Sequence, residues 1–457
     1  MIAIVGGGIS GLAAAFELQR QRVDFRLFEK SRRLGGLILT EDVDGLIIEA
    51  GPDALLVQKP AAIELCRELG LNDHLVPTSP PRTAYIVRNR KLHPIPDRSF
   101  LGIPLTMTAL ARCGFLSAVG KARLAAERFV TPRTSAEDES IADFMQRRFG
   151  REAVDYLAEP LLAGIHAGDV KRLSMQALFP RLPEAEKQYG SVLRALGKTE
   201  RPRSAEGAFL SLDRGLGDLV TALERALPGS AVEREAGVTR IAFDATSRDY
   251  LIHTARREPV RARGVILTTP AYVTGTLLQD LDPHLAEHCR AIPYVSTASV
   301  SLAYRREAIA DPIEGVGFLV PSAERLHILA ASWVSSKWPG RAPPHLALLR
   351  VFVGSARDTE ILRRSDEELV RVAHEELSQL MRIREWPSVT RVYRWERASA
   401  QHDVGHLEHV RTIERKLERF QGLTVTGSGF RGVGIPDCIS DARRTAELTA
   451  ARICTSR

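Results

Sequence analysis

At 457 residues, with 44% hydrophobic and 26% charged residues, the chain has the make-up of a soluble globular protein and suits two or three intertwined units. Its net charge of +7 is spread along the sequence with both signs mixed. That pattern argues against a nucleic-acid partner and for a solvated surface mildly favourable to anionic ligands and acidic headgroups. Five cysteines (Cys66, Cys113, Cys289, Cys438, Cys454) without paired spacing point to reduced thiols and a reducing compartment. The uncharged stretch 99–111 is far shorter than a membrane span and contains Pro104. A strand that starts at Met1 leaves no leader segment to read, so the expected location is the cytoplasm, with peripheral contact on the inner face of the membrane as an added expectation.

Residues 1–5 form a short apolar run, followed by Gly6-Gly7-Gly8-Ile9-Ser10-Gly11 and then by Leu12-Ala13-Ala14-Ala15-Phe16-Glu17-Leu18, a helix former without Gly or Pro. Strand, glycine turn and helix in that order make a site for a dinucleotide pyrophosphate. Gly6 permits the tight turn and Gly8 lets the backbone approach the phosphates. Gly11 lets the helix pack on the strand with its N-terminal amides facing the anion. The second strand, 25–28, ends at Glu29, an acid placed to hold a ribose hydroxyl pair and to repel the 2′-phosphate of NADP. The alternative is a structural glycine turn in another α/β unit, and the position of Glu29 argues against it.

A hairpin-like stretch from Leu37 ends at Glu49-Ala50-Gly51-Pro52-Asp53-Ala54, and a helix at 60–69 stops at Gly70. Strands at 85–87 and 91–96 flank a turn at Asn89. From 101 to about 194 helix formers dominate, with breaks at Pro132, Pro160, Pro180 and Pro183, which reads as a helical insertion. Its apolar residues Phe100, Ile103, Leu105, Met107 and Phe115 fit either an internal core or a membrane-contacting patch beside a channel for an apolar substrate. A polar loop at 198–207 leads to a strand at 209–212 and a helix at 218–227. Strands at 238–241, 250–253 and 264–269 return the chain to the dinucleotide-binding sheet. Strands at 296–304, 316–320, 330–333 and 346–353, with a helix at 366–381, predict a mixed sheet in a second domain, and 423–426 re-enters the first. Two histidine groups, His284 with His288 and Cys289, and His402 with His406 and His409, lack a consistent ligand set, so no metal is expected.

Two resemblances sharpen this reading. Lys30-Ser31-Arg32-Arg33-Leu34-Gly35-Gly36 resembles the arginine and double-glycine segment of FAD-dependent amine-oxidase-type flavoproteins, which wraps the diphosphate and leads towards the flavin. At least one of Arg32 and Arg33 is expected to be an ordinary surface charge. Near the C-terminus, Thr426-Gly427-Ser428-Gly429-Phe430-Arg431-Gly432-Val433-Gly434-Ile435-Pro436-Asp437-Cys438-Ile439, followed by an alanine- and arginine-rich helix, resembles the terminal signature of protoporphyrinogen oxidases. Gly164-Ile165-His166-Ala167-Gly168-Asp169, Gly317-Phe318-Leu319-Val320-Pro321, Leu349-Arg350-Val351-Phe352-Val353-Gly354 and Val404-Gly405-His406 extend the likeness over most of the chain.

The resemblance implies an α/β fold with a Rossmann-like FAD-binding domain (1–75, 205–285, 400–457), a mixed-sheet substrate domain (76–90, 190–204, 286–399) and a helical domain (91–189). It implies non-covalent FAD held by Gly6, Gly7, Gly8, Ile9, Ser10, Gly11, Glu29, Lys30, Arg33, Gly35, Gly36, Leu37, Gly51, Pro52, Asp53, Ala54, Val238, Val433, Gly434 and Ile435. Ser428 stands where many flavoproteins carry an acid after the last strand, and Asp437 is the acid left for that role. The implied reaction is a six-electron oxidation of protoporphyrinogen IX to protoporphyrin IX in three flavin-mediated steps, with molecular oxygen as acceptor and peroxide released. Arg82, Gly317 and Leu319 are the implied substrate contacts, with the flavin rather than any side chain as the reactive centre. Product hand-off to a chelatase follows from the same pathway. A coproporphyrinogen III oxidase is the first alternative. A carotenoid-desaturase-like relative and a non-catalytic FAD-bound interaction protein are the others.

Overall fold

The computed structural model describes residues 1–135, 137–198, 207–255 and 257–454; positions 199–206 of the predicted polar loop lie outside them. Ile2–Val5, Phe25–Phe28 and Gly264–Leu267 are parallel neighbours in a five-stranded sheet, with Val232–Glu233 and Leu423–Val425 at its two edges. Every residue of Ile2–Val5 and Gly264–Leu267 is buried, as a parallel sheet covered on both faces requires. One cover holds the Ile9–Arg20 helix and the terminal Ile435–Cys454 helix, which share a core through Leu12, Ala14, Leu18, Ile439, Ala442 and Ala446. The other is the meander Val238–Asp244, Asp249–Thr254, Arg257–Ala262 with the helices Ala271–Leu277, Pro283–Arg290 and His406–Leu417.

The second sheet has seven strands in the order Val389–Ala400, Tyr294–Arg305, Leu346–Val353, Ile328–Trp333, Gly317–Leu319, Ala84–Arg88, Lys91–Pro94. Among the described residues, its one parallel pairing joins Gly317–Leu319 to Ala84–Arg88. Alternation along the strands gives it two unlike faces. Val300, Leu302, Leu349, Val351, Trp333 and Phe318 pack on the Asp366–Met381 helix through Leu369, Ala373 and Leu377. That helix has the predicted boundaries because Ser365 and Glu368 form a reciprocal capping box. The other face carries Ser299, Ser301, Arg350, Ser332 and Gly317, aligned across neighbouring strands, and it faces the cofactor-side segment at Ala50.

The helical segment packs on its own core of Phe115, Phe144, Phe149, Leu157, Leu182 and Val192. Ile103 and Phe115, weighed as membrane-facing, are buried here, whereas Met107 is exposed. No helix among the described residues is long and apolar enough to cross a membrane. Three elements lie at the expected domain edges. Lys91–Pro94 pairs with Ala84–Arg88 and so belongs to the large sheet, and Val192–Lys198 joins the helical core through Val192. The Pro283–Arg290 helix runs through the expected boundary at 285 and packs with the first domain through Leu285, Ala286 and Cys289.

Candidate flavin site

The Ile9–Arg20 helix starts at Gly8 with no side-chain cap and no acid in its first turn, so its leading amides are available to an anion. A Cβ on Gly11 would overlap the Gly6 carbonyl oxygen, which fixes glycine there. The double-glycine segment lies alongside this turn: Gly35 N–H donates to the Gly7 carbonyl at 2.8 Å, and Gly8 and Gly35 form a parallel bridge. Glu29, at the end of its strand, accepts from Gly7 N at 2.7 Å, Ser31 N at 2.8 Å and Ser31 Oγ at 2.7 Å. Ala236 N donates to the Glu29 carbonyl at 2.9 Å and Glu235 N to the Ser31 carbonyl at 3.1 Å, which brings Gly237, the residue before Val238, against Lys30.

Arg33 turns back on its own loop and donates to the Leu34 and Ile38 carbonyls, while Arg32 is an exposed charge paired with Glu235 at 3.1 Å. Leu37 has its side chain exposed, and its carbonyl sits so close to Gly51 that no Cβ fits there. Pro52, Asp53 and Ala54 follow, and the Asp53 carboxylate is held by two donors. It accepts from Lys337 Nζ at 2.8 Å and Trp338 Nε1 at 3.2 Å. Burial alone would push its pKa up, yet the charges of Lys337 and Arg350 hold it at about 2.

From the far end of the sequence, Gly427 reaches Ser10 and Thr268, and the turn that follows leads into the terminal helix, where Ile435 is buried beneath the more accessible Val433 and Gly434. Asp437, the acid expected in place of the one missing after the last strand, is paired with Lys59 Nζ at 2.6 Å. Sequence reasoning placed Lys59, with Pro60, in a segment that carries the resemblance, but it did not foresee the pairing with an acid 378 positions away. Nor did it foresee the histidine clamp. His402 and His406 stack at 3.9 Å and 9° and donate through Nε2 to the Ser428 and Phe430 carbonyls, each at 2.9 Å. His166, at the end of the Glu159–His166 helix, is buried nearby. Desolvation, then the charges of His402 and Lys59, push its pKa down to about 4. Burial drives His406 to about 3 and also lowers His402, so the three rings are neutral near pH 7. His409 bonds to the His288 carbonyl, and no group of three metal-ligating side chains occurs among the described residues.

Gly317 and Leu319 sit between Ala84 and Ile86 on one strand and Ser332 and Ala330 on the other. Leu319 and Ala330 lie against Gly164 of the Glu159–His166 helix, forming an apolar wall. Arg82 lies before the Ala84–Arg88 strand and is exposed, with Nε donating to the Thr78 carbonyl at 2.9 Å and its side chain against Gly207. The residue opposite Gly317 is Ala84. A cavity of about 520 Å³, of ordinary ligand size, opens at the Tyr294 end of the large sheet. Three of its walls bond to the candidate site: Tyr294 Oη accepts from Ala271 N, Trp395 Nε1 donates to the Ala50 carbonyl, and Gln401 Nε2 donates to the His166 carbonyl.

The pattern of the flavin containing amine oxidoreductases matches residues 9–449. The chain is 34% identical to a coproporphyrinogen III oxidase of Bacillus subtilis (strain 168), over 97% of this chain and 96% of that one. It is 29% identical to the chloroplastic protoporphyrinogen oxidase 1 of Arabidopsis thaliana, over 97% of this chain and 86% of the relative. A solved structure from Exiguobacterium sp. 255-15, assigned provisionally as a protoporphyrinogen oxidase, superposes with a TM-score of 0.88 at 30% identity and covers 98% of both chains. The chain belongs to the flavin-containing amine oxidoreductase family.

Proposed function

We propose that the chain is an oxygen-dependent porphyrinogen oxidase with non-covalent FAD, acting late in porphyrin synthesis. The observation that carries this reading is the convergence of both ends of the sequence on one glycine-lined cradle, in a chain whose full-length relatives are named for porphyrinogen oxidation. The residues fit the cofactor. The uncapped helix receives the diphosphate and Glu29 the ribose, while Leu37, Gly51 and the turn 427–434 flank the flavin. Bound FAD supplies the hydride-accepting and oxygen-reducing chemistry of the three two-electron steps.

The protein supplies position and an apolar environment. Gly164, Leu319 and Ala330 give the macrocycle a flat wall, and Arg82 offers a guanidinium to a substrate carboxylate at the rim. The neutral histidines add no charge of their own while their rings fix the turn at Ser428 and Phe430. Protoporphyrinogen IX is the substrate implied by the sequence signature. Coproporphyrinogen III is the second reading, favoured by the higher identity to the relative that carries its name, 34% against 29%. Side-by-side initial rates on the two porphyrinogens in air, read from the Soret band of the product, decide between them. Turnover of neither by FAD-loaded protein would reject the reading. Contact with a membrane surface belongs to the same proposal and is tested by flotation with anionic vesicles.

A further inference from the structure

We propose that His166 is a flavin contact whose imidazole donates a ring N–H to the carbonyl-bearing edge of the isoalloxazine. This rests on the FAD reading above.

His166 ends the Glu159–His166 helix, two residues after Gly164. The backbone there is fixed from several directions. The His166 carbonyl accepts from Ser399 Oγ at 2.8 Å and from Gln401 Nε2 at 3.0 Å. The next carbonyl, that of Ala167, accepts from Ala356 N at 2.8 Å. Ala167 caps the helix in the left-handed region at φ 51°, and a Cβ on Gly168 would overlap the Gln401 side chain. The end of this helix therefore has one position against the 389–400 strand and the 355–358 loop, and the ring that it carries is held with it, 8% exposed.

That ring is an exception among the buried histidines of the site. His402 and His406 each donate to a backbone carbonyl, whereas neither ring nitrogen of His166 has a hydrogen-bond partner among the described residues. Neither nitrogen is sealed off by packing, so the small exposure that the residue keeps includes its polar atoms. Buried polar groups are paired as a rule, and one that is not points to a partner from outside the chain. The neighbours of the ring say which partner. His402, which lies near it, is bonded to Ser428, and Lys59, also near, is paired with Asp437. Asp437 stands in the first turn of the terminal helix and lies against Gly432 and Gly434. The imidazole is thus beside the turn 427–434 and the helix start that follows it. A helix N-terminus favours the electron-rich edge of a ring, which in the isoalloxazine is the edge with the two carbonyls. A neutral imidazole has one N–H to give, and burial keeps this one neutral, so it meets a carbonyl without bringing a charge.

The test is the infrared carbonyl stretch of bound oxidised flavin, isolated with isotope-labelled FAD, together with the dissociation constant of FAD. Neither needs a porphyrinogen. In His166→Phe, which fills the ring's volume without its nitrogens, a carbonyl stretch moves to higher frequency and the dissociation constant rises on the order of five-fold. His166→Gln, which keeps an N–H donor, restores most of both. Carbonyl stretches that do not move in folded, FAD-loaded His166→Phe overturn the proposal, whatever the affinity does. A raised Michaelis constant beside unmoved stretches would overturn it too, and would assign the ring to the substrate. If the Phe variant does not fold, wild-type protein with nitrogen-labelled histidine gives the answer by magnetic resonance. There FAD adds a protected ring N–H resonance, and no added resonance rejects the contact. Wild-type protein that neither carries nor takes up FAD would reject the cofactor reading instead.

Discussion

Glu29 accepts the amide hydrogen of Gly7 at 2.7 Å, so the acid that ends the second strand also closes the glycine turn that follows the first. The same carboxylate holds Ser31, which starts the double-glycine segment. Replacing Glu29 with Ala removes a charge-assisted partner worth roughly 1.5–3 kcal/mol, so FAD affinity should drop about ten-fold or more. Flavin-fluorescence titration checks this, and unchanged affinity would remove Glu29 from the site.

Gly11→Ala should do more harm than its size implies, because the new methyl would overlap the Gly6 carbonyl oxygen. The helix must move off the strand to relieve it, and overpacking of this kind costs about 1–3 kcal/mol. Calorimetry should show a melting point several degrees lower and purified protein should lack FAD. Full flavin occupancy would mean that the turn is looser than described.

For Arg82→Ala the expected outcome is a Michaelis constant raised several-fold, with bound FAD intact and a smaller change in turnover number. Arg82 lies outside the glycine cradle and makes its bond to the Thr78 carbonyl, so loss of flavin is not expected. Steady-state rates on both porphyrinogens give the answer. An unaltered constant moves the carboxylate anchor to another cation, and Arg88, which reaches the Phe115 carbonyl and Glu152, is the next to test.

Acid should loosen the clamp around Ser428 and Phe430. His166 is neutral when folded, with its pKa held down to about 4 from an ordinary 6.5, so the unfolded chain binds more protons between those values. Its contribution to stability is complete above about pH 6.5 and is lost as the pH falls towards 4, on the order of 3 kcal/mol at most. His406 and His402 are shifted in the same direction. Urea midpoints at pH 7.5 and pH 4.5 should differ, and His166→Gln should narrow the gap. A gap of the same size in that variant assigns the acid sensitivity elsewhere.

In the helical segment, Arg148 and Glu127 form an ion pair with no solvent exposure, and Glu127 also accepts from Ser191 and from Val192 N. Arg148→Met leaves a buried carboxylate without its charge partner, which costs about 3–5 kcal/mol. Hydrogen exchange should rise first between the Ile141–Phe149 and Val192–Lys198 helices. Wild-type protection there would show that the pair is not what joins them.

Local patterns were legible where neighbouring residues decide the outcome. The glycine turn and the 346–353 strand follow from short-range chemistry, as does the helix capped by Ser365. Contacts made by the fold itself were not legible. Asp53 reads as part of a cofactor segment, but its carboxylate belongs to Lys337 and Trp338, nearly three hundred positions away in sequence. Lys59 stands in a segment that carries the resemblance, yet its partner is visible only when the terminal helix brings Asp437 to it. The strand at 91–94 was visible as a strand, yet its sheet was not, because hydrogen-bond partners leave no mark on alternation.

The parallel sheet also sets a timetable. Gly264–Leu267 is flanked by Ile2–Val5 on one side and by Leu423–Val425 on the other. A ribosome adding 5–20 residues per second needs roughly 20–80 seconds to pass from the first of these strands to the last. Throughout that interval the nascent chain presents an unpaired, apolar strand edge, and the terminal turn that completes the cradle has not yet been made. The cradle is thus completed only when the last strand and its turn have been made.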